Sequence, residues 1–178
     1  LDRVVFTFDD ITERKRTQRE LEETNRTLDA LIQAAPVAII AQTLEGEVTL
    51  WNEGATEIFG WTEAEVLGMD QPPFVAAENV EEYESLFQRR VQGESFTGVE
   101  IERQRKDGQT LDLHLSAAPV HDADGYVRGA MAVLADLTDQ KERERQLRQF
   151  RQAVEYAGHS VIIFTRDGVI EYVNPTFE

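Results

Sequence analysis

Between Val37 and Trp61 the apolar positions fall into two short runs and then change period. Val37–Ala41 and Val48–Trp51 flank Glu45-Gly46, a pair suited to a tight turn because glycine takes positive φ without steric cost. Asn52 follows as a good helix N-cap, and Ala55, Ile58 and Phe59 recur at i, i+3, i+4. The pattern predicts strand, turn, strand and capped helix. Thr62 and Glu65 form a capping box for a second short helix, with Trp61 and Val66 at the positions of a hydrophobic staple. Gln71-Pro72-Pro73 then enforces an extended break. Over Glu81–Gln92 the residues Tyr83, Leu86, Phe87 and Val91 share one helical face, and Gly93 stops the helix. Three strands are predicted beyond it: Phe96–Arg105, Thr110–Val120 and Tyr126–Ala135, the first ending at the hairpin signal Lys106-Asp107-Gly108. In the second, Leu111, Leu113, Leu115 and Ala117 alternate with Asp112, His114 and Ser116. Two strands, helices and three strands predict an α+β fold, a five-stranded antiparallel sheet with its helices on one face, flanked by helical linkers.

The opening pattern returns. Val161–Asn174 aligns without a gap on Ile39–Asn52, 122 residues apart, with Gly46 on Gly168 and Asn52 on Asn174. Phe8-Asp9-Asp10-Ile11-Thr12 resembles Leu134-Ala135-Asp136-Leu137-Thr138 at a spacing of 126. Self-similarity of this kind indicates an array of one repeated unit. Residues 1–12 are expected to close a preceding unit, Val4–Phe8 being its last strand, and 13–30 to form a helical linker. Residues 31–138 form a complete unit, 139–150 a second linker, and 151–178 the head of a following unit. The chain starts without Met and is expected to be an excerpt of a longer protein. In the first linker Thr17, Leu21, Thr24, Leu28 and Leu31 step by 4, 3, 4, 3, the seam of a parallel coiled coil. A homodimer through the linkers is one reading; a helix packed on its own domain is the other. Asp10 to Asn52 is 42 residues and Asp136 to Asn174 is 38, a difference of about one helical turn.

Composition narrows the function. The net charge of −16 argues against nucleic acid, because binding phosphates requires cationic neutralisation. No apolar run approaches the roughly 20 residues of a membrane helix, so the segment is expected to be cytoplasmic, with no direct membrane insertion. Without cysteine there is no disulfide, thiolate metal site or Cys nucleophile. Cations are mostly arginine, with lysine only at 15, 106 and 141. An acidic, lysine-poor surface suits a salt-rich cytoplasm, where dense carboxylates are screened. The chain's Tm is therefore expected to rise as salt approaches molar concentration; a flat or falling Tm would remove the halophilic reading.

In their order and spacing, these motifs resemble the PAS/PAC sensory family. The resemblance rests on the strand–turn–strand with Gly46 and Asn52, the Phe59-Gly60-Trp61 step, Lys106-Asp107-Gly108 before a strand, and the closing Asp136-Leu137-Thr138. It covers residues 25–140 and implies a tandem PAS array, the sensory part of a histidine kinase or similar prokaryotic receptor with a downstream output domain in the same chain. It also implies a small cavity between sheet and helices, for which the candidates are Ile39, Asn52, Ile58, Phe59, Phe74, Tyr83, Phe87, Leu113 and Leu115. The Asp-Leu-Thr element is expected to couple sheet to outgoing helix through Asp136 and Thr138, and through Asp10 and Thr12 at the preceding junction. Asp136 would pair with a basic group or cap the helix.

The residues discriminate among the family's cofactors. Haem-binding members place a histidine on the helix matching Glu81–Gln92, which has none; His114 faces away by parity, and His121 and His159 lie elsewhere. A cysteinyl-flavin adduct is excluded. Noncovalent FAD stays open, since Trp51, Trp61, Phe74 and Phe87 could pack an isoalloxazine, although aromatics there are more often plain core. Glu81, Glu82 and Glu84 have no His or Lys neighbour, and no phosphate loop, metal-spaced cluster or Ser-His-Asp set is present, so the segment is expected not to be catalytic. Three readings follow: a ligand sensor relaying through helical linkers, a ligand-free dimerising spacer, and a flavin redox sensor.

Overall fold

The structure, a computed structural model, describes residues 12–177. The strand expected at Val4–Phe8, Asp10 and the side chain of Thr12 lie outside the described residues. Helix α1 (Thr12–Gln33) leads to β1 (Ala38–Thr43), β2 (Val48–Trp51), α2 (Glu53–Phe59) and α3 (Glu63–Val66). Then come α4 (Val80–Val91), β3 (Phe96–Gln104), β4 (Thr110–His121) and β5 (Val127–Asp136). Helix α5 (Thr138–Glu155) carries the chain to a separate hairpin, β6 (Ile162–Phe164) and β7 (Ile170–Val173).

The first five strands form one antiparallel sheet in the order β2-β1-β5-β4-β3. Helices α2, α3 and α4 cover one of its faces, giving the α+β architecture. The alternation of β4 is realised: Leu111, Leu113, Leu115 and Ala117 are buried, while Asp112, His114 and Ser116 lie on the other side. Against them pack Ala38, Ile40, Val48, Trp51, Ala132 and Leu134 from the sheet, and Ala55, Phe59 and Leu86 from the helices. The centre is aromatic. The Phe59 and Phe74 rings stack at 4.2 Å, and Trp51 lies 5.6 Å from Phe59 and 6.0 Å from Phe74. Each such side chain contributes about 2–3 kcal/mol by leaving water. Trp51 is anchored as well as buried, since its Nε1–H donates to the Trp61 carbonyl at 3.0 Å.

Local signals set the helix ends. Asn52 caps α2, its Oδ1 accepting from the Ala55 N–H at 2.9 Å, and Gly60 ends it at φ 82°, where only glycine is unstrained. Glu65 reaches back to the Thr62 N–H at 2.9 Å, completing the capping box. Both long helices overrun the linker limits of 30 and 150: neither meets a breaker before Pro36 or Gly158.

At a spacing of 122 residues the second hairpin repeats three of the four side-chain bonds of Asn52. Asn52 Oδ1 accepts from the Ile39 N–H at 2.8 Å, and Asn174 Oδ1 from the Val161 N–H at 2.7 Å. Asn52 Nδ2 donates to the carbonyls of Ile32 and Val37, at 2.9 and 3.0 Å; Asn174 Nδ2 donates to those of Val154 and His159, both at 3.0 Å. In each unit the buried amide ties the last turn of a long helix to the hairpin that follows.

Candidate functional site

A pocket opens between the sheet and α4. Its floor is Ile40 and Gln42 of β1, Ala132 and Leu134 of β5, Leu115 of β4, and Ile101 and Arg103 of β3. Tyr83, Leu86 and Arg90 of α4 and Phe74 roof it. Its free volume is about 20 Å³, room for roughly one water-sized group.

Of the nine candidates, the structure brings Phe74, Tyr83 and Leu115 to the pocket wall. Ile39 is not there: it is half-buried on the opposite face, opposite Val133, and the inward positions are Ala38, Ile40 and Gln42. The run Val-Ala-Ile-Ile-Ala has no alternation, so its parity was not fixed by composition. Asn52 is the hairpin tie rather than a wall residue. Ile58, Phe59 and Leu113 serve the core beside the pocket, where Phe59 fills the space against Trp51 and Phe74. Phe87 backs the roof, stacked on Tyr83 at 6.2 Å and beneath the Arg90 guanidinium at 5.1 Å. Of the aromatics that sequence offered to an isoalloxazine, Trp51 and Phe74 pack on each other, Phe87 stacks on Tyr83, Trp61 is partly buried against the core, and Phe74 alone among them lines the pocket. A flavin does not fit the space as the side chains stand.

The polar wall residues Gln42, Arg90 and Arg103 were not among the candidates, though each sits at an inward position. Gln42 follows Ile40 by two, Arg103 follows Ile101 by two, and Arg90 shares the helical face of Tyr83, Leu86 and Phe87. Gln42 Nε2 donates to the Gly46 carbonyl and to the Tyr83 hydroxyl oxygen, both at 2.7 Å. Burial pushes the Tyr83 phenol up, so the hydroxyl keeps its proton. Arg103 Nη1 donates to Glu82 Oε2 at 2.9 Å and to the Glu102 carbonyl.

A second cluster lies where β5 passes into α5. Asp136 Oδ1 accepts from the Thr138 N–H at 2.8 Å, and Thr138 Oγ1 accepts from the Asp112 N–H at 3.1 Å. Asp136, one residue before the N-cap Leu137, therefore takes up the first N–H of the outgoing helix and has no basic partner among the described residues. The charged centre is Asp112, on the outer face of β4. Its carboxylate accepts from Lys141 Nζ at 3.0 Å and Arg145 Nη2 at 3.2 Å, while Lys141 also reaches Glu100 at 2.7 Å. The Glu100 and Asp112 carboxylates hold the Lys141 ammonium up, and Lys141 holds the Glu100 carboxyl down. Sequence offered Asp112 only as a polar position in an alternating strand; its partners come from a helix 29 and 33 residues away.

The family model described as PAS fold matches residues 26–137. The chain belongs to the PAS family. Among relatives of this PAS chain, the signal transduction histidine-protein kinase AtoS of Escherichia coli (strain K12) is 30% identical over 129 residues, 72% of this chain and 21% of that protein. Sensor protein kinase WalK of Staphylococcus aureus (strain Newman) is 24% identical over 148 residues, 83% of this chain and 23% of that protein. The chain thus spans about a fifth of the length of these curated relatives. A PAS domain of an HTR-like protein from Haloarcula marismortui superposes with TM-score 0.54 at 26% identity, over 68% of this chain and 98% of that one. The PAS domain of a Colwellia psychrerythraea protein does so at 0.57 and 22%, covering 67% and 98%, a likeness of fold. The PAS domain is homologous to segments of sensor histidine kinases, which supports a signal-sensing module. No helix among the described residues is long and apolar enough to cross a membrane.

Proposed function

We propose that this chain is a sensing and relay segment of a larger PAS receptor, a histidine kinase or similar protein, in which the occupancy of the pocket is passed to the next module along α5. The observation that carries the reading is that α5 is held at both ends. Near its start Lys141 and Arg145 bind Asp112 of the sheet; in its last turn the Val154 carbonyl is bound by Asn174 of the second hairpin. Lys141 and Val154 are 13 residues apart on this helix, so about 20 Å of it joins the two clamps. A helix so held transmits a rotation or shift that a free linker would dissipate. The repeat of the hairpin with its asparagine tie supports a tandem arrangement, with α1 serving the same role upstream.

The linkers also carry apolar residues with nothing packed on them: Leu21, Leu28 and Leu31 on α1, Leu147 and Phe150 on α5. Spacings of seven and three on α1 and of three on α5 place each set on one helical stripe, which supports a parallel homodimer whose helices move together. The acidic surface, shared in our reading with a haloarchaeal way of life, accords with the Haloarcula likeness.

Insertions between Arg148 and Gln149 in the full-length parent test the relay. Two added residues rotate the helix by about 200°, seven by about 700°, close to its original phase. Signal-dependent autophosphorylation is expected to be lost or inverted with two and largely retained with seven. Equal responses from both would sink the rigid-helix reading.

A further inference from the structure

The charges around the pocket do not balance. Arg90 is 3% exposed and Arg103 2%, so both guanidiniums are effectively desolvated, and an arginine keeps its proton even there. Arg103 has Glu82 as its counter-ion. Arg90 has no carboxylate within ion-pair distance among the described residues; its Nε bonds the Leu86 carbonyl, at 3.3 Å, its guanidinium lies against the Tyr83 hydroxyl, and its plane lies over Phe87. Two cations against one anion leave one positive charge at the wall of an otherwise apolar pocket, which is costly without a partner.

The unused hydrogen-bonding capacity is mainly that of donors, with the Gln42 Oε1 as the one side-chain amide acceptor at the wall. Arg103 Nε is buried with no partner. The Tyr83 oxygen accepts from Gln42, so its own O–H remains to donate. Both Gln42 amide hydrogens are spent, on Gly46 and Tyr83. Beside that amide oxygen, what the pocket offers a guest is O–H and guanidinium N–H groups, and both arginines are cationic. Acceptors with negative charge match that set; a cation or a neutral donor does not. A dianion would overshoot the single excess charge, and a water molecule would leave it unmatched. The free volume of about 20 Å³, roughly one water-sized group, restricts the guest to the smallest anions, and planar guanidiniums favour a planar oxyanion, which they bind in a fork.

We propose that the pocket is a receptor site for a small planar monoanion, a one- or two-carbon carboxylate or nitrate, held between Arg90 and Arg103 with the Tyr83 hydroxyl as a third donor. The assignment rests on the sensory reading for its consequence, but not for its chemistry. Arg90 belongs to α4 and Arg103 to β3, so an anion bridging them would draw the roof toward the sheet strand that carries Glu100, a partner of Lys141 on the relay helix.

The test is thermal unfolding and calorimetric titration of the 178-residue chain with sodium formate, acetate and nitrate at constant ionic strength, with formamide as the neutral counterpart of formate. The expected result is a saturable rise in Tm with at least one anion and none with formamide. Arg90→Met is expected to abolish that response while leaving the unliganded Tm equal to or above that of the parent chain, because it removes an uncompensated buried charge. Tyr83→Phe is expected to weaken binding about tenfold, the size of one hydrogen bond. If Arg90→Met fails to fold, Tyr83→Phe decides, and an unchanged affinity overturns the site. Retention of the response by a folded Arg90→Met overturns it equally. A formamide response equal to that of formate overturns the anion and leaves a sensor of neutral molecules. Silence from all three anions overturns the site, whereas the relay itself stands or falls on the helix insertions.

Discussion

Asn52→Ala is expected to destabilise the PAS core by about 4 kcal/mol, measured as the urea midpoint of the purified chain. Asn52 is fully buried and makes four good hydrogen bonds with its one amide, two accepted from Ile39 and Ala55 and two donated to Ile32 and Val37. Alanine leaves the Ile39 and Ala55 N–H groups and the Val37 carbonyl without that partner in a space too small to hydrate them all, while the Ile32 carbonyl keeps the Ala35 N–H at 3.3 Å. Each orphan costs about 1–3 kcal/mol, and the sum is discounted because the groups share one site and relax together. Asn52→Asp separates donor from acceptor: it keeps an oxygen for Ile39 and Ala55 but turns a carboxylate oxygen toward two carbonyl oxygens. It is expected to be no more stable than the alanine variant at neutral pH. The equivalent change at Asn174, whose hairpin is largely exposed, should move the main transition by less than about 1 kcal/mol. An Asn52→Ala chain within 1 kcal/mol of the parent would show that the hairpin and helix are held by packing alone.

The importance of that amide was half visible in the sequence. Asn52 stands after a strand and before a helical period, and its recurrence 122 residues later with Gly46 marks it as part of a unit. Capping predicts one of its four bonds; the other three depend on where α1 ends and on how the chain returns past it, which is tertiary information. The sheet was legible for similar reasons. Strict alternation over Leu111–Ala117 fixes which face of β4 is buried, whereas the unbroken apolar run before Leu44 left Ile39 and Ile40 interchangeable. The pocket was the least legible part. A reading that looks for apolar wall residues passes over Gln42, Arg90 and Arg103, although each occupies an inward position by period. Polar residues at inward positions are the stronger signal, because burying them without a purpose is costly. At the junction, Asp136 and Thr138 follow from local chemistry, but Asp112 is brought to Lys141 and Arg145 only when β4 lies beside β5.

Gly54→Ala is expected to cost about 3 kcal/mol, although alanine is the better helix former by about 1 kcal/mol and Gly54 sits inside α2. A Cβ built on Gly54 would lie 2.3 Å from the Val37 carbonyl oxygen and 2.6 Å from that of Ala35. Both are backbone atoms, so no side-chain rotation relieves the contact, and α2 or the segment 35–37 must move. The same segment is held by Asn52 Nδ2 through Val37, so Gly54 and Asn52 clamp one stretch of chain from two sides. Their effects are therefore coupled. The double variant Asn52→Ala/Gly54→Ala is expected to lose less than the sum of the single losses, because once the amide is gone the segment is free to retreat from the new methyl group. Strict additivity in the urea midpoints would mean that the two residues act on separate parts of the structure. In the second unit the position of Gly54 is Thr176, whose Oγ1 donates to the Ala157 carbonyl at 2.8 Å, the counterpart of Ala35. There a hydroxyl bond takes the place of close backbone approach. The two joints thus share the asparagine tie but differ beside it, and a steric clamp yields less to small displacements than a single exposed hydrogen bond. A helix entering the complete PAS module through α1 is gripped more tightly than α5 is gripped by the hairpin it enters.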